Sequence, residues 1–174
     1  MRPRTLFFIL APLLLVGVLV APTLARKGDE FRARLSGYEE VPSVSTPASG
    51  RFRAEIGPGP VINFRLTYEN IQNVFMAHIH LGQKGVNGGV SAFLCGPGHQ
   101  ACPATGGTVT GTITAADVIG PATQGIEAGE IAELIAAMKA GVTYANVHTT
   151  DGNDAEPVGP PGDFPGGEIR GQIR

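Results

Sequence analysis

The chain has 174 residues, 43% of them hydrophobic and 16% charged, with a formal net charge of −2. That length suits one domain with a real core. The mildly acidic balance argues against nucleic acid as a partner. The 25 glycines and 14 prolines punctuate strand-like runs and form neither a repeat nor a low-complexity tract.

The chain opens on a basic segment, Met1-Arg2-Pro3-Arg4, followed by an apolar run from Leu6 to Val20 and then Ala21-Pro22-Thr23-Leu24-Ala25. This is the three-part layout of a secretory signal peptide, with cleavage expected after Ala25. The alternative is an uncleaved anchor, but the run is short for a span of roughly 20 residues and contains Pro12. Cleavage leaves residues 26–174 as the domain. It also removes Arg2 and Arg4, which takes the net charge from −2 to −4. No cysteine stands beside the expected cleavage site, so lipid attachment is not expected.

Beyond this segment, apolar and polar residues alternate again and again. Phe31, Ala33 and Leu35 alternate with Arg32 and Arg34; Phe52, Ala54 and Ile56 alternate with Arg51, Arg53 and Glu55. Ile62, Phe64, Leu66 and Tyr68 alternate with Asn63, Arg65, Thr67 and Glu69. In the run from Val74 to Leu81, period two sends Phe75, Ala77, Ile79 and Leu81 inward and Met76, His78 and His80 outward. Val90, Ala92 and Leu94 form a further run, and Val109, Gly111 and Ile113 alternate with four threonines. Near the end, Ile169, Gly171 and Ile173 alternate with Glu168, Arg170, Gln172 and Arg174.

One-sided alternation marks antiparallel sheet around a single core, whereas parallel strands would be apolar on both faces. With the segment Tyr144-Ala145-Asn146-Val147-His148, the pattern predicts an all-β domain. We expect a single antiparallel Greek-key sandwich or barrel of about eight strands. One segment departs from this pattern. Ile131, Leu134, Ile135 and Met138 recur at helical spacing, which predicts a short helix over about 129–140, ended by Gly141 and plugging one end of the scaffold.

Cys95 and Cys102 enclose a Gly/Pro-rich loop. Outside the cytoplasm such a pair is expected to be a disulfide rather than a thiol metal site, contributing about 2–3 kcal/mol by pinning its loop.

The histidines carry the chemistry. His78 and His80 lie two residues apart on one strand face, about 6.6 Å along the strand, and His148 lies on the polar face of the Tyr144 segment. Neutral imidazoles so placed suit copper or zinc. The plainer reading is a set of local hydrogen bonds to Asn146, Thr149 or Glu168. Glu168 and Arg170, on one face of the last strand, are expected to support the same polar cluster with Asn146; otherwise they form a surface pair worth about 0–1 kcal/mol. No phosphate-binding loop, nucleophile elbow or reactive cysteine is present in the sequence.

Several of these pieces together resemble the chordin-type (CHRD) domain. They are Phe31-Arg-Ala-Arg-Leu-Ser-Gly-Tyr-Glu-Glu-Val-Pro42, Ala77-His78-Ile79-His80-Leu81-Gly82, the Gly85-Val-Asn-Gly-Gly89 turn, Tyr144-Ala-Asn-Val-His148-Thr149 and Gly166-Gly-Glu168-Ile-Arg170-Gly171-Gln172. The resemblance extends over residues 29–174. It implies a secreted or surface domain and no established catalytic activity. One departure is an expanded loop from Thr149 to Pro165 carrying Asp151, Asp154, Glu156 and Asp163, where the family crosses more briefly. Its acid spacing does not match an EF-hand calcium loop, so a solvated loop is expected.

A weaker resemblance is to the copper–zinc superoxide dismutase barrel. It would match His78 and His80 to an H-x-H pair, His99 to a third ligand, His148 to a late strand histidine and Arg170 to an anion-steering cation. The histidines for a zinc cluster are missing, so this resemblance implies at most a copper-only centre.

The expectation is therefore an exported, secreted or periplasmic CHRD-type binding or structural module. Its candidate metal ligands are His78, His80, His148 and His99, for copper or zinc. Its partner would be a protein or surface ligand, not nucleic acid and, once cleaved, not a membrane. The alternative is a copper-dependent redox protein.

Overall fold

A computed structural model describes residues 29–152 and 162–174. The expected signal peptide and the loop acids Asp154 and Glu156 lie outside the described residues. Among the described residues, no helix is long and apolar enough to cross a membrane.

Eight strands form one sheet: β1 (Glu30–Ser36), β2 (Ser49–Ile56), β3 (Ile62–Glu69), β4 (Val74–Leu81), β5 (Gly89–Cys95), β6 (Gly107–Ile113), β7 (Thr143–Thr149) and β8 (Ile169–Gln172). Their order is β5-β4-β7-β8-β1-β2-β3-β6, and every pairing is antiparallel. The β5–β6 connection brings β6 back beside β3, and the β6–β7 connection brings β7 back beside β4, neither pair being neighbours in sequence, which is Greek-key topology.

The two edge strands approach each other and nearly close a barrel. Gln100 laces this seam by donating from Nε2 to the Leu94 carbonyl of β5 at 3.3 Å and to the Thr110 carbonyl of β6 at 3.0 Å. The Cys95–Cys102 disulfide anchors the same loop to β5. Beyond β6, the Ile119 amide donates to the Ser91 carbonyl at 2.9 Å, so the chain covers part of an edge that would otherwise be open to another strand.

The core is the inward face of this sheet. Phe52, Leu66, Ile79, Val147 and Ile169 are fully buried, and Phe52 stacks against Phe64 with ring centroids 6.4 Å apart. Helix α1 (Ile131–Lys139) adds Ile131, Leu134 and Met138 to the core. Gly141, at φ 70°, ends it as the sequence predicted, with its amide bonded to the Met138 carbonyl at 3.0 Å. Lys139 ties the helix end to Asp29, just before β1, at 2.7 Å.

Two expectations need correction. Phe75 does not enter the core; the β4–β7 register shifts between Val74 and Met76. That bulge puts Val74 inside and leaves Phe75 half-buried beside His148, with centroids 6.3 Å apart. The polar faces of β4 and β7 are also not solvated: His78, His80, Asn146 and His148 are all buried. Three segments cover them, residues 37–46, 82–88 and 162–168, joined by bonds such as Asn87 Nδ2 to the Val41 carbonyl at 2.9 Å and Thr46 Oγ1 to Glu168. The barrel thus carries a second, polar interior layer on one side.

At β8 the sheet tolerates only glycine. A Cβ on Gly171 would lie 2.2 Å from the Arg34 carbonyl of β1, where Arg32 and Arg174 exchange backbone bonds of 2.7 and 2.9 Å. Gly171→Ala is expected to lower unfolding free energy by about 1–3 kcal/mol, read as a drop in the urea midpoint with an unchanged slope.

Candidate metal centre

β4 and β7 pair so that Met76 faces His148, His78 faces Asn146 and His80 faces Tyr144. On the polar side, His148 is therefore the diagonal neighbour of His78, within reach of a long side chain. His78 Nδ1 lies 3.2 Å from His148 Nε2, and His80 packs edge-on to His78 with centroids 5.4 Å apart. One ligand nitrogen from each ring lies within 4.8 Å of the other two, and the rings are 2%, 7% and 5% exposed for His78, His80 and His148.

Backbone carbonyls fix two of the tautomers. His80 Nδ1 donates to the Gly88 carbonyl at 3.0 Å, and His148 Nδ1 donates to the Pro165 carbonyl at 2.9 Å. A carbonyl can only accept, so each ring carries its proton on Nδ1 and turns a bare Nε2 lone pair inward. His78 then donates from Nδ1 to His148 Nε2. This leaves His78 Nε2 and His80 Nε2 buried with no hydrogen-bond partner among the described residues. Carbonyls holding the far nitrogen of a histidine are the usual outer support of a metal-ligating ring.

The Gly88 carbonyl is itself held in place. Tyr144 stacks on His80, with centroids 4.7 Å apart and planes 6° from parallel, and its hydroxyl accepts from the Gly88 amide at 3.1 Å. A Cβ at Gly88 would meet the Leu81 carbonyl at 1.6 Å, so only glycine permits this approach. Arg170 lies over the Tyr144 ring at 3.6 Å and donates to Asn87 Oδ1, the Val86 carbonyl and the Gln83 carbonyl. It is 1% exposed, so it braces the 82–88 loop and does not face incoming anions.

The other expected residues fall into two groups. Glu168 is fully buried but does not reach an imidazole; it accepts from Thr46, from Thr149 Oγ1 at 2.8 Å and from the Gly162 amide at 3.0 Å. Through Thr149, which accepts from the Phe164 amide at 3.0 Å, it shapes the segment that presents the Pro165 carbonyl. Asn146 is buried in the same layer, with Oδ1 unpartnered. His99 stands outside the cluster, exposed and stacked on Phe93 with centroids 4.8 Å apart, while Phe93 sits edge-on to His78.

Sequence reasoning missed Glu40, Phe93 and the Gly88 and Pro165 carbonyls that accept from His80 and His148. Glu40 is 6% exposed, and burial pushes its carboxyl up to about 8 against the pull of Arg170. Only its place in the Tyr38-Glu39-Glu40-Val41-Pro42 motif marked it, and that motif gives no chemical role.

Burial also sets the state of the imidazoles. It lowers His78 to about 3, helped by His148, His80 and His99, and lowers His80 to about 4, opposed by the Gly88 carbonyl and helped by His148 and Arg170. His148 is lowered by burial against the Pro165 carbonyl. All three are neutral at pH 7, the form in which imidazole binds metal. With His78 ligating through Nδ1 in place of its bond to His148, that nitrogen and His148 Nε2, 3.2 Å apart and each about 2.0–2.1 Å from one ion, would subtend roughly 100° at it, inside the range of four-coordinate zinc or copper. The donor set therefore fits a single ion.

The CHRD domain family model matches residues 31–156. The match covers β1 through β7 and stops before the Gly166–Gln172 segment that carries β8. No curated protein and no solved structure matches the chain.

The ion-free protein should lose stability as pH falls. Below about 6.5 the unfolded histidines take up protons that the folded rings refuse down to about 3 to 4. Each ring then costs up to about 1.4 kcal/mol per pH unit. Glu40 acts oppositely between 4.5 and about 8, because there the folded carboxyl holds a proton that the unfolded one releases. Chemical denaturation across pH 4–8 is expected to show a maximum at about pH 6.5–7, with the steeper fall on the acid side. Separately, Arg170→Lys should cost about 2–3 kcal/mol, since an ammonium cannot reproduce the planar fork.

Proposed function

The chain belongs to the CHRD domain family, and on that premise we propose that it is an exported binding module built around a single-ion centre held by His78, His80 and His148. The ion is copper or zinc, taken by three neutral imidazole nitrogens. The observation that carries this reading is the convergence of one nitrogen from each ring to within 4.8 Å of the other two, with His80 Nε2 buried and without a partner among the described residues. A buried nitrogen without a partner is costly, and one ion bonded to all three rings would satisfy His80 Nε2 and replace the single bond between His78 and His148.

Export rests on the N-terminal segment and on the Cys95–Cys102 disulfide, a bond that persists in oxidising compartments. Release outside the cytoplasm, in the periplasm or the medium, follows from cleavage after Ala25. Three protein ligands leave room for a fourth from solvent or from a bound partner. Burial of the rings suits an ion that locks β4 to β7 and to the loops above them. The copper redox alternative gains nothing from Arg170, whose donors are already engaged.

Titration of the metal-free mature domain with Zn(II) and with Cu(II), followed by calorimetry and electron paramagnetic resonance, should give one equivalent of bound ion. At free metal 100-fold above Kd, the fold should gain about 2.7 kcal/mol. The variant His78→Ala/His148→Ala should lose both effects, while His99→Ala should keep them. Retention of the ion by the double variant, or no uptake by the wild type, would refute the centre. Superoxide removal by the copper-loaded domain above that of free copper would move the reading to the redox alternative.

A further inference from the structure

The outer face of β1, β2 and β3 carries five arginines in two adjacent rows. The pairing aligns Arg32 with Arg53 and Arg53 with Arg65 in one row, and Arg34 with Arg51 in the next. All five are exposed. Like charges directly opposed on neighbouring strands destabilise a sheet, so this block works against the fold unless it meets anions. Carboxylates flank the block without entering it: Glu30 and Glu55 lie beyond one row and Glu69 beyond the other. Arg32 turns back to Glu30 at 3.0 Å. Arg34, Arg51, Arg53 and Arg65 have no ion-pair partner among the described residues.

The surface is hollowed as well as charged. A cavity of about 460 Å³ is lined by Arg32, Arg34, Arg51, Arg53 and Arg174, and by Lys84 and Glu39, which pair with each other at 3.0 Å. A second hollow continues it over β3, sharing Arg51 and Arg53 and adding Arg65 and Thr67. With strands about 4.8 Å apart, the trough crosses from β8 to β3 over roughly 14 Å. On its far side the guanidinium rows run into hydroxyls: Arg65 faces Thr110 on β6, and Thr67 faces Thr108, with Oγ1 atoms 2.9 Å apart.

We infer that this trough binds an acidic polysaccharide, its sulfate or carboxylate groups seated in the arginine forks and its sugar hydroxyls on the threonines. Guanidinium matches either anion through two parallel bonds, and the run from cations to hydroxyls matches a polymer that carries both kinds of group. The face offers no ring for a nucleic-acid base to stack on, because Phe31, Phe52 and Phe64 of these strands are turned into the core. Its outward residues also supply no apolar side chain to enter a bilayer. The local field of the block, rather than the net charge of −2, decides what it attracts.

The test uses a fluorescently labelled sulfated hexasaccharide and the full mature domain, with Kd measured at several salt concentrations. Binding should weaken as salt rises. Arg51→Ser/Arg53→Ser should weaken it roughly tenfold, as expected for losing two exposed ion pairs, and should flatten the salt dependence. The variant's unfolding midpoint should be unchanged or higher, because like-charge repulsion is relieved. Lys139→Ser, at the end of α1 and outside the trough, should bind as wild type. Equal affinity for the Arg51/Arg53 variant and wild type would overturn the proposal. So would tighter binding to phosphatidylglycerol vesicles or to an oligothymidylate strand, which would assign the trough to lipid or to nucleic acid.

Discussion

Burying the Arg170 guanidinium is the constraint that organises the functional side of the molecule. A permanent charge at 1% exposure needs every donor directed. It finds Asn87 Oδ1, two loop carbonyls and the face of Tyr144. Satisfying that one side chain folds residues 82–88 over β4 and β7. The folded loop places the Gly88 carbonyl against His80. Remove the charge, and the loop loses the reason for its course.

Around this brace the barrel has two interiors with different chemistry. The inward faces of the strands make a conventional apolar core, to which α1 adds Ile131, Leu134 and Met138. The opposite faces of β4 and β7 make a thin polar layer in which imidazole, carboxamide, carboxyl and guanidinium groups are all cut off from water. In such a layer each unpaired polar atom is expensive. His78 Nε2, His80 Nε2, Asn146 Oδ1 and Glu40 Oε1 all lack partners among the described residues. The imidazole nitrogens differ from the others because the three rings bring one nitrogen each within 4.8 Å of the other two, with carbonyls behind His80 and His148.

The arginine trough and the histidine centre draw on opposite uses of a strand's two faces. On β1, β2 and β3 the polar face stays open, so charge accumulates there and can meet a ligand. On β4 and β7 the polar face is roofed, and burial holds the histidines neutral. The same alternation in sequence thus yields a solvated binding surface in one place and a dry donor set in another.

Alternation of apolar and polar residues determined the all-β class, the eight strands and the helix with its Gly141 stop, because period and local turn chemistry are local properties. The cysteine spacing likewise determined the disulfide, and the His-x-His and Tyr144–His148 segments identified three rings that share a site. Only tertiary structure decided that Phe75 leaves the core, since the bulge before Met76 arises from pairing with β7. It also decided that His99 stands apart on Phe93 and that Glu168 and Arg170 act through loops rather than on the imidazoles. The open or roofed state of a polar face depends on segments distant in the chain, and no period within a single strand encodes it.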